Sequence, residues 1–479
     1  MQRALLLSLV AASYLLLAGG PQWTLVPLLG LAGLCALVSA RTAFRFPAAT
    51  RPLDLALMAL AAAIGAQTVS LPAGVVAWLS PRAQPLRASL RLAVSGPPAA
   101  WLPLSIDAGA TANSLAIVLL GVVTFWVSRA TFAAGGTRQF CRLLGLLAAV
   151  AAVVALVQTA ATPGLVMGVV APEARNANPM GPFLNRNHFG TWLLMTASAT
   201  MGYITAHLHI HPAYRQRLSS AVKHFFTSGA LLSGVGVLIS IGALLMTLSR
   251  SAAAGLGAAA VFGGWLGRHR LRIERTTLPA VAVLVGVAIL ILVAFIDIEG
   301  WFTRLQHSLG LAAVDFDRLT IWRESLPMVR DFAVTGTGAG TYSQAMEHYQ
   351  QTRFWVGSMQ QWAHFNNAHS HYVQLAVEGG LLLAVPAVAA IFFLVRLGLA
   401  AVRADKGEMF WVRVGAAAGL MGLAVQSIWE VALIMPANAV LAGVLAGLLL
   451  HRRDAGRTHG ANDVPDTSGS ESGRVSARC

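Results

Sequence analysis

The chain has 479 residues, 56% of them hydrophobic and only 11% charged. Soluble domains carry roughly 25% charged residues, so this chain cannot cover a water-facing surface of its size, and lipid is the solvent its apolar area calls for. The formal charge of +15 comes from 34 basic residues scattered between apolar blocks, of which only Lys223 and Lys406 are lysines. That pattern fits membrane topology and excludes the continuous basic patch of a nucleic-acid binder. Cys35, Cys141 and Cys479 show no CxxC spacing, so neither a disulfide framework nor a zinc motif is indicated.

A membrane-crossing helix needs roughly 17–25 mostly apolar residues. By that rule spans fall near 4–20, 23–40, 52–72, 113–129, 141–162, 188–207, 228–248, 251–267, 278–297, 372–396, 413–430 and 434–450. The expected fold is all-α, a polytopic integral membrane protein of about twelve transmembrane helices with a large, partly helical periplasmic loop. Met1 to Gly20 reads as a retained first span, because another span follows directly without a clear Ala-x-Ala site before it. The pair at 228–267 reads as a tight helical hairpin around Ser249-Arg250-Ser251. With both termini cytoplasmic, the inner segments hold about two-thirds of the basic residues, which supports that orientation. Residues 1–297 then carry nine helices, with periplasmic loops near 73–112 and 163–187. Residues 298–371 form the large periplasmic loop, 372–450 carry the last three helices, and 451–479 form a disordered cytoplasmic tail.

Polar groups at membrane depth are costly and are functional candidates by default. Six stretches collect them, all at the outer ends of the predicted spans. Pro182 to Phe189 opens the sixth span. Thr247 to Ser251 follows the seventh, and Arg250 within it reads either as a snorkelling side chain or as an anion binder. Asp317 to Arg323 begins a helix whose apolar residues Leu319, Trp322, Leu326 and Val329 predict that it lies on the membrane, with Arg318 and Arg323 on its polar face. Thr335 to Tyr342 has the glycines of a phosphate loop but no preceding strand and no Gly-Lys-Thr, so a tight turn fits better. Asn366 to Gly380 opens the tenth span. There His371, Gln374 and Glu378 share one helical face, and His369 stands at the helix mouth off that face. A metal site from His364, His369 and His371 lacks a firmly placed carboxylate and is not expected. The sixth stretch joins the last two spans through Gln426 to Glu430 and Ile434 to Ala439.

Together these stretches resemble the O-antigen ligase and polymerase family of bacterial membrane glycosyltransferases. The resemblance rests on Asn185-Arg186-Asn187-His188-Phe189, Leu248-Ser249-Arg250, Arg318 to Trp322, Gly336 to Tyr342, Ala368 to Gln374 with Glu378-Gly379, and Pro436 to Ala439. Pro103-Leu104-Ser105 and Ala110-Thr111 extend it toward the N-terminal half. It implies a polyprenyl-diphosphate-linked glycan as donor, and a glycan, lipid A-core or protein hydroxyl as acceptor. It further implies an inner-membrane protein whose catalytic loop is periplasmic, with no cofactor and no metal. Arg250 and Arg318 would bind the donor diphosphate and His369 would be the catalytic base. His371, Gln374, Glu378, Asn185, Asn187 and Arg323 are candidates for support.

Two departures bear on these roles. The family often has Asn after the histidine and then an acidic residue, where this chain has Ser370 and His371, so either histidine could be the base. It commonly has Asp near position 430, where this chain has Glu430. Direct attack of a hydroxyl on the anomeric carbon would invert configuration. The motifs do not separate a ligase from a polysaccharide polymerase or a protein O-oligosaccharyltransferase. A transporter of anionic solutes, a reading of another class, fits the number of spans. Such folds show internal repeats and helices broken near the midplane, and neither is evident in this sequence.

Overall fold

A computed structural model describes residues 1–90, 100–172, 177–210, 229–270, 318–353, 355–356, 361–407 and 409–452. The described chain is a helical bundle built from α1 (Gln2–Leu15), α2 (Leu25–Val38), α3 (Arg51–Thr68), α4 (Ala73–Leu79), α5 (Ala83–Ser89), α6 (Ala108–Ala133), α7 (Thr137–Ala161) and α8 (Arg186–Ile210). It continues with α9 (Gly229–Met246), α10 (Arg250–Gly267), α11 (Arg318–Asp331), α12 (Tyr342–Tyr349), α13 (His371–Ala404), α14 (Phe410–Gln426) and α15 (Pro436–Leu450). Two small antiparallel pairs complete it, β1 (Ser70–Pro72) with β2 (Trp101–Pro103) and β3 (Trp355–Val356) with β4 (Gln361–Trp362).

Every predicted span coincides with a helix except the ninth, near 278–297, which lies outside the described residues together with 298–317 and the tail from 453. Among the described residues three helices are long and apolar enough to cross a membrane: α6 with 26 residues, α7 with 25 and α13 with 34. At 1.5 Å per residue the part of α13 from 381 to 404 is about 36 Å long, enough for a hydrocarbon core of about 30 Å. It turns Leu381, Val385, Val388, Ile391, Phe392 and Val395 outward. Spacings of three and four put most of these on one stripe, an apolar face suited to lipid.

Lipid provides no hydrophobic drive between helices, so close backbone packing through small residues holds them together. A Cβ on Gly202 would sit 2.5 Å from the Trp411 carbonyl, where α8 meets α14, and one on Gly443 would sit 2.5 Å from the Gly121 carbonyl, where α15 runs parallel to α6. The expected hairpin at 228–267 is not formed as such. Helix α9 packs on α7 and α8, whereas α10 packs on α14, so the two diverge from the turn at Leu248.

The bundle has two unlike ends. At one, Arg129 pairs with buried Asp54 at 2.9 Å, and Arg413 pairs with Asp405 at 2.8 Å. At the other lies the glycine-rich turn. Gly336, Gly338 and Gly340 all have positive φ (67°, 116° and 81°). Their turn docks where α13 is broken at Gly380, which adopts φ 51° and ψ −152°. Thr337 N–H donates to the Val377 carbonyl at 3.0 Å, and Gly338 N–H to that of Glu378 at 3.0 Å. The Gln67 amide donates to the Thr335 and Glu378 carbonyls and accepts from Ala339 N–H. Tyr342 N–H donates to the Glu378 carboxylate at 3.2 Å. These N–H groups are engaged inside the protein and cannot cradle a phosphate, so the turn is structural, as its lack of a strand and lysine predicts.

Helix α11 forms. Ile321, Ser325 and Met328 face a cluster with Phe332, Tyr342 and Val377, Trp322 and Val329 pack partly against it, and Leu319 and Leu326 stay exposed. Periodicity located the helix and its broad apolar side; the docked row depended on what α12 and α13 present to it.

The break in α13 predicts a contrast between two glycines. A Cβ at Gly380 would lie 2.7 Å from the Ala333 carbonyl, whereas one at Gly257 in α10 meets nothing within 4 Å. Gly380→Ala should lower stability by roughly 1–3 kcal/mol from the left-handed backbone alone, whereas Gly257→Ala should be neutral or slightly stabilising. Thermal unfolding of the two variants in detergent checks this.

Candidate functional site

The site begins at the mouth of α8. Asn185 Oδ1 accepts the N–H of Asn187 at 2.8 Å, an Asx-type start that aims the next two side chains. Asn187 Nδ2 donates to Glu430 Oε2 at 2.8 Å. His188 Nε2 lies 3.3 Å from Glu430 Oε1, an ion-pair contact that falls short of a directed hydrogen bond. Glu430 itself is fully buried in the connection between α14 and α15. The same connection returns bonds to α8: Gln426 Nε2 donates to the Asn187 carbonyl at 3.2 Å, and Asn438 Nδ2 to that of His188 at 3.1 Å.

His369 enters from α13. Ser370 caps that helix by accepting Val373 N–H, and His371 N–H donates to the Ser427 carbonyl at 2.9 Å, which ties the helix mouth to the Glu430 connection. From the other side Trp322 Nε1 of α11 donates to the Ala368 carbonyl at 2.9 Å. Between these anchors His369 takes φ 46°, a left-handed conformation uncommon outside glycine. Its N–H is received by Asn367 Oδ1 at 2.9 Å, while its buried Nδ1 finds no partner among the described residues. Strain of this kind persists only where the surroundings over-determine it.

Electrostatics join these parts. Burial lowers the His369 pKa below 6.5; the Glu430 carboxylate pulls it back up, and Arg318 and His188 push it down. For Glu430, burial alone would raise the carboxyl, but its contact with His188 and the charges of His188 and His369 outweigh that and hold it at about 2. His369 therefore feels the charges of Glu430, Arg318 and His188, and Glu430 those of His188 and His369. Arg250, the first residue of α10, is exposed at the same end of the bundle. Its helix starts against α8, where a Cβ on Gly190 would come within 2.8 Å of Ala252.

The remaining sequence candidates divide. Gln374 donates to Glu378 at 3.0 Å and accepts from Ala368 N–H at 3.3 Å, so this pair supports the glycine-rich turn and the backbone beside His369. Arg323 is exposed on α11. His371 opens α13, with its Nδ1 unpartnered among the described residues. His364 is engaged by Ser343 Oγ at 3.1 Å. Among the described residues no three His, Cys, Asp or Glu side chains are disposed to hold a metal ion. His188 stands in the Asn-Arg-Asn-His-Phe run, but the sequence alone assigns it no role. Glu430, a lone acid beside two apolar spans, is itself a signal.

The family model described as O-antigen ligase matches residues 235–388. Those residues are an O-antigen ligase domain. No curated protein matches the chain. The O-antigen ligase domain runs from α9 to the first half of α13 and so contains Arg250, Arg318 and His369. Asn187 and His188 of α8 and Glu430 of the α14–α15 connection lie outside it. Three long apolar helices and this family make the chain a membrane protein with a place in surface polysaccharide biosynthesis.

The Glu430 carboxyl has a titration signature. Its folded pKa lies below the ordinary 4.5, so the stability it contributes is complete above that pH and is lost as pH falls from 4.5 toward 2. Unfolding temperatures measured from pH 7 to pH 3 should fall more steeply below pH 4.5 in the parent than in Glu430→Gln. Parallel curves would exclude a depressed carboxyl.

Proposed function

We propose that the chain is a glycosyltransferase of the inner membrane that moves a glycan from a polyprenyl diphosphate to a hydroxyl acceptor at the periplasmic face. The observation that carries this reading is the electrostatic grouping of Arg318, His369, His188 and Glu430 at the bundle end that also holds Arg250. The twelve-span topology with both termini cytoplasmic belongs to the same proposal and rests on the basic-residue bias.

The chemistry follows from the donor. A glycosyl diphosphate has a leaving group that needs charge stabilisation more than a proton. Arg250 and Arg318 offer planar forks for phosphate oxygens, in a setting of lower dielectric than bulk water. The acceptor oxygen attacks the anomeric carbon as the bond from that carbon to the diphosphate breaks, with inversion. The acceptor proton passes to the His369 imidazole, which needs to be neutral beforehand. Burial and Arg318 favour that neutral form, and Glu430 stabilises the imidazolium once formed. The polyprenyl diphosphate leaves along the lipid. A ligase is the favoured member of the class, because the matching family is described as O-antigen ligase; a polymerase and a protein glycosylation enzyme share the same donor chemistry.

Reconstitution with a lipid-linked oligosaccharide tests the assignment. Removing a positioned base costs about 10²–10⁴-fold in rate, so His369→Ala should lose that much while the protein remains folded, and Arg250→Ala and Arg318→Ala should each lose turnover with a weakened donor. His371→Ala should retain most activity; the opposite order would transfer the base role to His371. The acid limb of the parent's pH profile should lie below 6.5. In Glu430→Gln it should move lower still, because the charge that raises His369 is gone.

A further inference from the structure

Trp322 follows Arg318 by one turn of α11, so the two side chains leave the same face of that helix about 6 Å apart along its axis. The Trp322 ring packs partly against the cluster that holds Ile321, Met328 and Val377. Packing of that kind needs no polar atom, yet the indole N–H is directed at the carbonyl of buried Ala368, to which it donates at 2.9 Å.

That carbonyl belongs to the peptide that enters His369. The N–H of the same peptide goes to Asn367 Oδ1 at 2.9 Å, a local bond that moves with the chain. Gln374 Oε1 accepts Ala368 N–H at 3.3 Å, but this holds the preceding peptide. Trp322 reaches the entering peptide from a separate helix and so holds its plane against the rest of the protein. Helix α11 is steadied in turn by the contact of the Ser325 and Tyr342 hydroxyls at 2.8 Å, and by Glu324, which accepts the N–H groups of Gln351 and Thr352 at 3.0 and 2.9 Å.

On the far side of His369 the His371 N–H is fixed to the Ser427 carbonyl at 2.9 Å. The φ of His369 is the torsion between these two anchored parts. Its 46° lies where L residues are uncommon, so loss of the entering anchor would let the backbone turn and carry the imidazole away. We infer that Trp322 is a positioning residue whose indole N–H sets the His369 imidazole relative to Arg318, so that donor grip and base placement are properties of one helix. The inference deepens the transferase reading and rests on it for the reaction, but the placement of His369 can be followed without turnover.

The test uses the full-length protein in nanodiscs. Trp322→Phe removes the N–H and keeps an aromatic ring, and β-(3-benzothienyl)alanine installed at position 322 replaces the N–H by sulfur with little change of shape. A misplacement of about 1 Å can cost roughly a hundredfold in rate, so both variants should lower kcat by about that factor while the donor KM and the unfolding temperature stay close to the parent's. With 13C-labelled histidine, the His369 ring signal, identified by its loss in His369→Ala, should move in both variants toward the position of solvent-exposed histidines. A raised donor KM with unchanged kcat makes Trp322 a donor contact and overturns the inference. An unmoved His369 signal also overturns it, whether kcat is retained or falls together with the unfolding temperature. A parent that transfers nothing while its His369 signal still depends on the N–H at position 322 retains the positioning role and removes the transferase reading.

Discussion

A carboxylate buried among helices has to be compensated, and much of this structure is organised around compensating one. Glu430 receives Asn187 at 2.8 Å and faces His188 at 3.3 Å. Removing one partner of a buried pair typically costs about 3–5 kcal/mol, because the remaining charge is stranded. The helices that meet here, α8, α13, α14 and α15, are consequently fixed at their mouths relative to one another. His369 is delivered into that frame by a backbone hydrogen bond from His371 to Ser427 and by the indole of Trp322. Its left-handed backbone and unpartnered Nδ1 support the role proposed for it.

The glycine-rich turn solves a different problem. Helix α11 has to sit beside the mouth of α13 so that Arg318 reaches the same field as His369. The turn locks it there by inserting backbone into the break at Gly380, with Gln67 bridging both chains. The N–H groups of Thr337, Gly338, Ala339 and Tyr342 are absorbed by this docking. Gln374 and Glu378, spaced on one face with His371, serve this lock. Shared helical face did not imply shared task, because the Glu378 carboxylate is taken up by Tyr342 N–H and Gln374.

Much of the architecture was legible in the sequence. Apolar runs located the helices because lipid leaves few ways to satisfy a spanning backbone, and the clustering of polar stretches at span ends anticipated the common end of the bundle. Partner choice was not legible. That α9 would pack on α7 and α8 while α10 chose α14 depends on matched small residues in helices distant in sequence, such as Gly255 and Gly422. The role of His188 was hidden for the same reason: its partner lies more than two hundred residues away, and a histidine in a helix mouth looks ordinary until its carboxylate is placed.

The central claim is that two guanidinium groups and one imidazole act on the same diphosphate-linked sugar at one end of the bundle. A cryo-electron microscopy map of the protein with a bound polyprenyl-diphosphate sugar tests it most directly. The account predicts phosphate density within hydrogen-bond reach of both Arg250 and Arg318, with the anomeric carbon turned toward His369. Phosphate density at the Arg129 or Arg413 end, or a sugar facing away from His369, would contradict it.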